Sequence, residues 1–303
     1  MNPGTKGWFT ILAAAFFFAA RAHPADSIRI ATFNVENYLI DAVHHRPVKS
    51  AESKARVCES ILALRPDLIA LQEIGGTNAL LQLRADLHRA GLEYPHWGHV
   101  TGSDTNIQVA LLSRFPLLHR VDHTNDWFLL GGRRFRVSRG FSQVEVQVSD
   151  RYKFTVLAAH LKSRRPVPEA DETEMREKEA AILREKINIL LARDPNLNLV
   201  VLGDFNDTHD SKAIRTLIGR GKTKLLDTRP GEKFTEKADG ARTVAWTHFY
   251  GKEDTYSRID YILVSSGMAR EWIPADSRVL ALPNWGQASD HRPVMASFTA
   301  EDR

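Results

Sequence analysis

The stretch NLVVLGDFND, Asn198 to Asp207, carries the apolar residues Leu199, Val200, Val201 and Leu202 into Gly203 and then into Asp204, Asn206 and Asp207. A short apolar run of this kind, closed by a glycine and a polar cluster, has the pattern of a fully buried strand. Acids delivered from the end of such a strand sit on a rigid mount, which is what a preorganised polar site requires.

Working outward, other strand-like segments end in the same way. SIRIATFNV predicts a strand ending near Asn34, and DLIALQEI one ending at Glu73 before Gly75-Gly76. KFTVLAAHL ends by His160, RIDYILVS opens with Asp260, and Asp290-His291 precede the final run HRPVMASFT. Helical patterns cover about 51–64, closed by Pro66, and about 77–90. A longer one, TEMREKEAAILREKINILLAR, lines up Ile182, Leu183, Ile187, Leu190 and Leu191. A shorter helix is expected to start near Ser211, and further apolar runs lie at 106–113 and 141–148. Interleaved strands and helices with hairpin-like pairs in the middle predict an α/β chain whose sheets mix parallel and antiparallel pairs. RRPVPEADET (164–173) reads as a surface loop, and no linker divides the chain.

Composition bounds the rest. With 303 residues, 43% hydrophobic and 26% charged, the chain can bury a sizeable core as one domain. Lys6 precedes a charge-free run from Gly7 to Ala20, and Ala20-Arg21-Ala22 has A-x-A spacing, the pattern of a secretory signal peptide over 1–22. The expected location is secreted or periplasmic, with residues 23–303 as the folded domain. The run is too short to span a bilayer. Cleavage would remove Lys6 and Arg21 and no acid, lowering the formal net charge from +4 to +2, so attraction for polyanions must come from local clusters. GGRRFRVSRG, with Arg133, Arg134, Arg136 and Arg139, is the strongest cluster and HLKSRR the second. Cys58 stands alone, so no intrachain disulfide forms, and its helical spacing with Val57, Ile61 and Leu64 reads as packing.

Gathering these acids without a counter-charge would be costly, and a bound cation resolves the conflict. Oxygen donors, absent cysteine ligands and histidines without zinc spacing favour a hard ion such as Mg²⁺, held by Glu73 and Asn34. Such a site, with two histidines, an Asp-Asn pair and nearby arginines, has the parts to hydrolyse a phosphate ester. G-x-S-x-G, Walker and G-x-G-x-x-G patterns do not occur, which disfavours serine hydrolases, P-loop NTPases and dinucleotide enzymes.

The segments ATFNVEN, DLIALQEI, AAHLKS, VVLGDFND, SRIDYILVS and ASDHRPV, in that order between Ile30 and Phe298, resemble the endonuclease/exonuclease/phosphatase superfamily. That fold is shared by pancreatic-type deoxyribonuclease, exonuclease III-class abasic endonucleases and neutral sphingomyelinases. The resemblance implies a four-layer sandwich, two packed mixed β-sheets flanked by helices, and a divalent-metal phosphoesterase using Mg²⁺, with Mn²⁺ or Ca²⁺ as alternatives. It implies Glu73 as principal metal ligand, supported by Asn34, with Asp290 contacting a metal. Asp204 would orient or deprotonate the attacking water, and Asn206 would hold a phosphate oxygen. Asp260 would fix the tautomer of His291, while His160 would contact the scissile phosphate or protonate the leaving group. Arg139 falls where the deoxyribonuclease branch has a phosphate-binding arginine.

Glu36 departs from the Asp usual at that position in abasic endonucleases, and His160 and export also point away from abasic-site repair. The expected activity is that of a secreted, monomeric nuclease acting on nucleic acid. A phospholipid or sphingomyelin headgroup phosphodiesterase is the alternative, and a silent binder of phosphorylated ligands a third. Asp207, Asp210 and Ser211 read as cap or turn residues, and the other histidines, His248 among them, as surface or core residues. The arginine run at 133–139 reads either as a solvated loop or as a polyanion contact. Trp127 and Phe128 before it would stack on bases, enter a lipid interface or pack.

Overall fold

The computed structural model describes residues 27–43, 45–232 and 245–302; the leader pattern at 1–22 lies outside them. Two mixed six-stranded sheets form the body, which is the predicted sandwich. The first sheet contains β1 (Ser27–Tyr38), β2 (Leu68–Ile74), β3 (His96–Val100), β4 (Gln108–Ser113), β15 (Trp272–Val279) and β16 (Val294–Thr299), in the order β15-β16-β1-β2-β4-β3. The second contains β5 (Leu117–His123), β8 (Phe141–Gln147), β9 (Lys153–His160), β10 (Leu199–Asp204), β11 (Leu226–Asp227) and β14 (Asp260–Val264), in the order β11-β14-β10-β9-β8-β5. Two hairpins stand apart: β6 (Trp127–Leu130) with β7 (Arg133–Arg136), and β12 (His248–Tyr250) with β13 (Thr255–Ser257).

The sheets pack through alternate residues of their strands. Ile28, Ile30, Leu68 and Val109 of the first sheet meet Val144, Val156, Val200, Leu202 and Ile262 of the second, all fully buried. Each such side chain contributes roughly 1.5–3 kcal/mol relative to exposure. The opposite faces are covered by helices. α1 (Ala51–Leu64) and α2 (Thr77–Arg89) lie over the first sheet. α3 (Glu172–Arg193) and α4 (Lys212–Ile218) lie over the second, and the short α5 (Ser266–Ala269) follows β14. Ser50, Asp171 and Ser211 cap α1, α3 and α4 by accepting from the N–H three residues on. Cys58 is buried on α1 and its thiol is pushed up to about 11 by burial, consistent with packing.

Two glycine sites shape what the sheets present. Gly131 and Gly132, both at positive φ, make the two-residue turn between β6 and β7. Gly203 has φ +144°, and a Cβ there would collide with the carbonyl oxygen of Ala159 on β9. Its absence lets β9 and β10 close up one residue before Asp204. No helix among the described residues is long and apolar enough to cross a membrane.

Candidate active site

Three neighbouring strands of the second sheet end together. Parallel pairing sets Asp204 of β10 opposite His160 of β9, and antiparallel pairing sets it opposite Asp260 of β14. The first sheet contributes from across the sandwich, because Asn34 on β1 donates its Nδ2–H to Oδ2 of Asp204 at 2.9 Å. Asp204 Oδ2 also lies 3.4 Å from His160 Nε2 and 3.7 Å from His291 Nε2. One carboxylate oxygen thus meets side chains from three separate segments. Its other oxygen, Oδ1, accepts from the backbone N–H of Asn206 at 2.9 Å, and Asn206 holds φ +55° to make that turn.

His291 is fixed from the side. Its Nδ1 lies 2.9 Å from Asp260 Oδ2, and Thr247 Oγ1 accepts from the N–H groups of Ile259 and Asp260 to steady that end of β14. Ser289 Oγ donates to the carbonyl of Asn34 at 2.7 Å and accepts from the N–H of His291 at 3.0 Å, tying the two segments together. Asn206 Nδ2 and the Arg139 guanidinium both donate to the carbonyl of Leu161, at 3.0 and 3.2 Å, so these two side chains share one corner. Arg139 Nε lies 3.5 Å from Asp104 Oδ2. Among the described residues His160 Nδ1 and Asp260 Oδ1 are buried without a hydrogen-bond partner.

Burial also sorts the protons. It pushes the Asp204 carboxyl up to about 6, with Asp260 adding to the rise and His291 and the Asn34 hydrogen bond opposing it. Burial opposes charge on His291, but the carboxylates of Asp260 and Asp204 outweigh it, so this imidazole keeps its proton well above the usual histidine range. His160 goes the other way: burial, then the Arg139 charge, holds it neutral.

A second group of acids stands beside this centre. Glu73 Oε2 accepts from the N–H of Asn37 at 3.0 Å, which brings the end of β2 to the end of β1. Burial, then the charges of Asp290 and, more weakly, Glu73, raise the Glu36 carboxyl, while Lys49, 3.9 Å away, opposes the rise. Glu36, Asn37, Glu73 and Asn206 all have φ between +43° and +59°, so left-handed backbone at non-glycine residues is gathered around the site. Glu36 feels the charges of both Asp290 and Glu73 and its N–H donates to Asn34 Oδ1 at 3.0 Å, so these oxygen donors are neighbours whose chemistry suits a hard divalent cation.

Comparison with known proteins shows the family to which this fold belongs. The family model of the endonuclease/exonuclease/phosphatase family matches residues 31–291. The chain belongs to that family. No curated protein sequence matches it, but solved structures share the fold. The human Nocturnin catalytic domain with bound sulfate is 19% identical, with a TM-score of 0.64 over 91% of this chain and 95% of that one. The 3′ phosphatase NExo from Neisseria, bound to a product DNA hairpin, is 22% identical with a TM-score of 0.57 over 89% and 99%. Sphingomyelinase C from Streptomyces griseocarneus is 17% identical with a TM-score of 0.59 over 90% and 99%. As a member of the endonuclease/exonuclease/phosphatase family the chain is a divalent-metal-dependent hydrolase of phosphoric esters.

Within this family member, the sequence-predicted residues Asn34, His160, Asp204, Asn206, Asp260 and His291 come together, with Arg139 at their edge. The structure adds placements that the sequence does not announce. β1 continues past Asn34 to Tyr38 and so carries Glu36 into the acidic group. Asp207 is no helix cap; its carboxylate meets Arg176 at 2.9 Å and Arg164 at 3.3 Å. Glu179, inside α3, is buried and accepts from Ser138 and from the N–H of Lys162, holding the segments that carry Arg139 and His160. The arginine run is half strand: β7 pairs with β6, leaving Trp127 and Leu129 exposed and Phe128 buried. His248 lies against the site, its Nε2 3.7 Å from Asp290 Oδ2 and its ring centroid 4.5 Å from that of His291. No sequence motif singles it out; it lies ten residues before Arg258-Ile259-Asp260.

Proposed function

We propose that the chain is an exported, Mg²⁺-dependent nuclease that cleaves phosphodiester bonds by direct attack of water. The observation that carries this reading is the convergence of Asn34, His160 and His291 on Asp204 Oδ2. A carboxylate raised to about 6 is a base of suitable strength near neutrality, so Asp204 takes the proton of the attacking water. His291, held by Asp260 and bearing a proton, supplies one to the leaving oxygen as the phosphorus–oxygen bond breaks. Neutral His160, Asn206 and Arg139 face the phosphate oxygens and favour the charge that builds there. Glu73, Asn34, Asp290 and Glu36 would hold the cation, which when bound supplies charge neutralisation at those oxygens.

The substrate assignment rests on the β6–β7 arm, whose second strand leads into Arg139. Arg133, Arg134 and Arg136 lie on β7, Arg134 packs over the Trp127 ring at 3.9 Å, and Arg133 donates to the carbonyl of Glu169 in the loop that follows Arg164 and Arg165. The guanidiniums of Arg134 and Arg136 share the face of β6–β7 that carries the exposed Trp127 indole, which suits a phosphate backbone carrying bases. NExo, with its DNA hairpin, has the same fold. Exposed Trp127 and Leu129 favour a second reading, a lipid headgroup phosphodiesterase, and Sphingomyelinase C shares the fold too. Export rests on the leader pattern at 1–22, and the N-terminal sequence of the exported protein tests it.

A panel of plasmid DNA, RNA, sphingomyelin vesicles and a small phosphodiester, each with Mg²⁺, Mn²⁺, Ca²⁺ or chelator, tests the whole reading. The expected result is nucleic-acid cleavage in Mg²⁺ that chelator abolishes. Turnover of sphingomyelin with intact nucleic acid would transfer the assignment to the lipid reading.

A further inference from the structure

Asp290 is flanked by two imidazoles. Its Oδ2 lies 3.7 Å from His248 Nε2 and its Oδ1 3.8 Å from His291 Nε2, and one ligand atom from each of the three residues falls within 4.8 Å of the others. Main-chain bonds set this arrangement. An antiparallel bridge pairs His248 with His291, the N–H of Phe249 donates to the carbonyl of Asp290 at 3.0 Å, and that of Arg292 donates to Thr247 at 2.7 Å. The β12–β13 hairpin that carries His248 is braced by Phe249 against Tyr256 and by Trp246 against Trp285, with ring centroids 4.7 and 5.0 Å apart.

The donor chemistry differs from that of the oxygen-rich group. Two imidazole nitrogens with one carboxylate match borderline-soft ions, and they leave a fourth position open in the manner of a tetrahedral zinc site. Ligand atoms around such an ion stand roughly 3.3 Å apart. Closing from separations of up to 4.8 Å takes rotations of the His248 ring and the Asp290 carboxylate, both partly accessible with side chains 17% and 44% exposed. Solvent therefore reaches the cluster.

We propose that His248, Asp290 and His291 form an inhibitory Zn²⁺ site on the rim of the hydrolytic centre. The inhibitory part rests on the function proposed above. Coordination occupies His291 Nε2, the atom that faces Asp204, and draws Asp290 from the oxygen donors beside it, so one ion disables two parts of the machinery. His248 is the residue that distinguishes this site from the catalytic one.

The test titrates Zn²⁺ into the metal-free full chain in excess Mg²⁺ by calorimetry, comparing wild type with His248→Ala and His248→Gln, and measures zinc inhibition of each protein relative to its own zinc-free rate. Circular dichroism and thermal melts establish that each variant is folded. The expected result is one zinc site in wild type whose affinity falls at least about tenfold in both variants, with the inhibitory concentration rising by the same factor. Equal zinc affinity in wild type and variants overturns the site. Zinc binding that depends on His248 but leaves the rate unchanged overturns the inhibition and keeps the site. A wild-type protein inactive in Mg²⁺ overturns the hydrolytic reading and the inhibitory half with it, while calorimetry still decides the site.

Discussion

Asp260 Oδ2 stands 2.9 Å from His291 Nδ1, and the two residues arrive from different sheets, one opening β14 and the other preceding β16. The pair orients the imidazole so that Nε2 faces Asp204. Asp260→Asn keeps the shape but loses the charge that retains the proton. Activity on a phosphodiester should fall by about 10²–10⁴-fold, read as kcat/KM in Mg²⁺. A variant with wild-type kcat/KM would remove His291 from the proton path.

Asp204 costs stability as well as conferring chemistry, since burial raises its carboxyl to about 6. Asp204→Asn should lower the rate by at least about a hundredfold while the melting temperature holds or rises. A loss of both together would mean that the carboxylate is chiefly structural.

Gly203 permits the approach of β9 and β10. Gly203→Ala adds a methyl group where the Ala159 carbonyl lies and should destabilise the fold by about 2–4 kcal/mol in urea unfolding. Unchanged stability would show that the strands can separate without penalty.

Away from the site, Glu271 is buried, accepts from the Tyr152 hydroxyl and from Asn198 Nδ2, and has its carboxyl raised to about 7 by burial. Because the folded state binds this proton more tightly than the unfolded chain, its contribution is fully present below the ordinary glutamate range. It is lost as pH rises from about 4.5 to about 7, by on the order of 3 kcal/mol. Denaturation measured across that window should show the fall, and Glu271→Gln should flatten it.

The arginine arm makes a quantitative forecast for the polymer reading. Arg133 and Arg134 are exposed on β7. Replacing both with Ala should reduce the slope of log affinity against log salt for duplex DNA by roughly 1–2. An unaltered slope would detach the arm from nucleic acid.

Continuous apolar runs made β9, β10 and β14 legible in the sequence, and with them His160, Asp204 and Asp260, because a strand buried on both faces leaves little choice of pattern. The short hairpins were harder. β6 and β7 are four residues each, and the arginines hid a turn that Gly131-Gly132 could have announced. On α3 the apolar stripe is legible but the buried charges are not: Arg176, Glu179 and Arg184 lie inside, each satisfied by partners remote in sequence such as Asp207, Ser138 and Thr223. His248 reads in the sequence as a surface or core residue because its neighbours Asp290 and His291 are remote in sequence and only the fold brings them to it.

Ser27 faces Thr299 across β1 and β16, whereas Asn34, seven residues further along β1, lies at the reacting end. At about 3.3 Å per residue the two points are roughly 23 Å apart. Both ends of the folded body therefore leave from its rear, and a bead, membrane tether or fusion partner joined at either one would hang clear of incoming substrate.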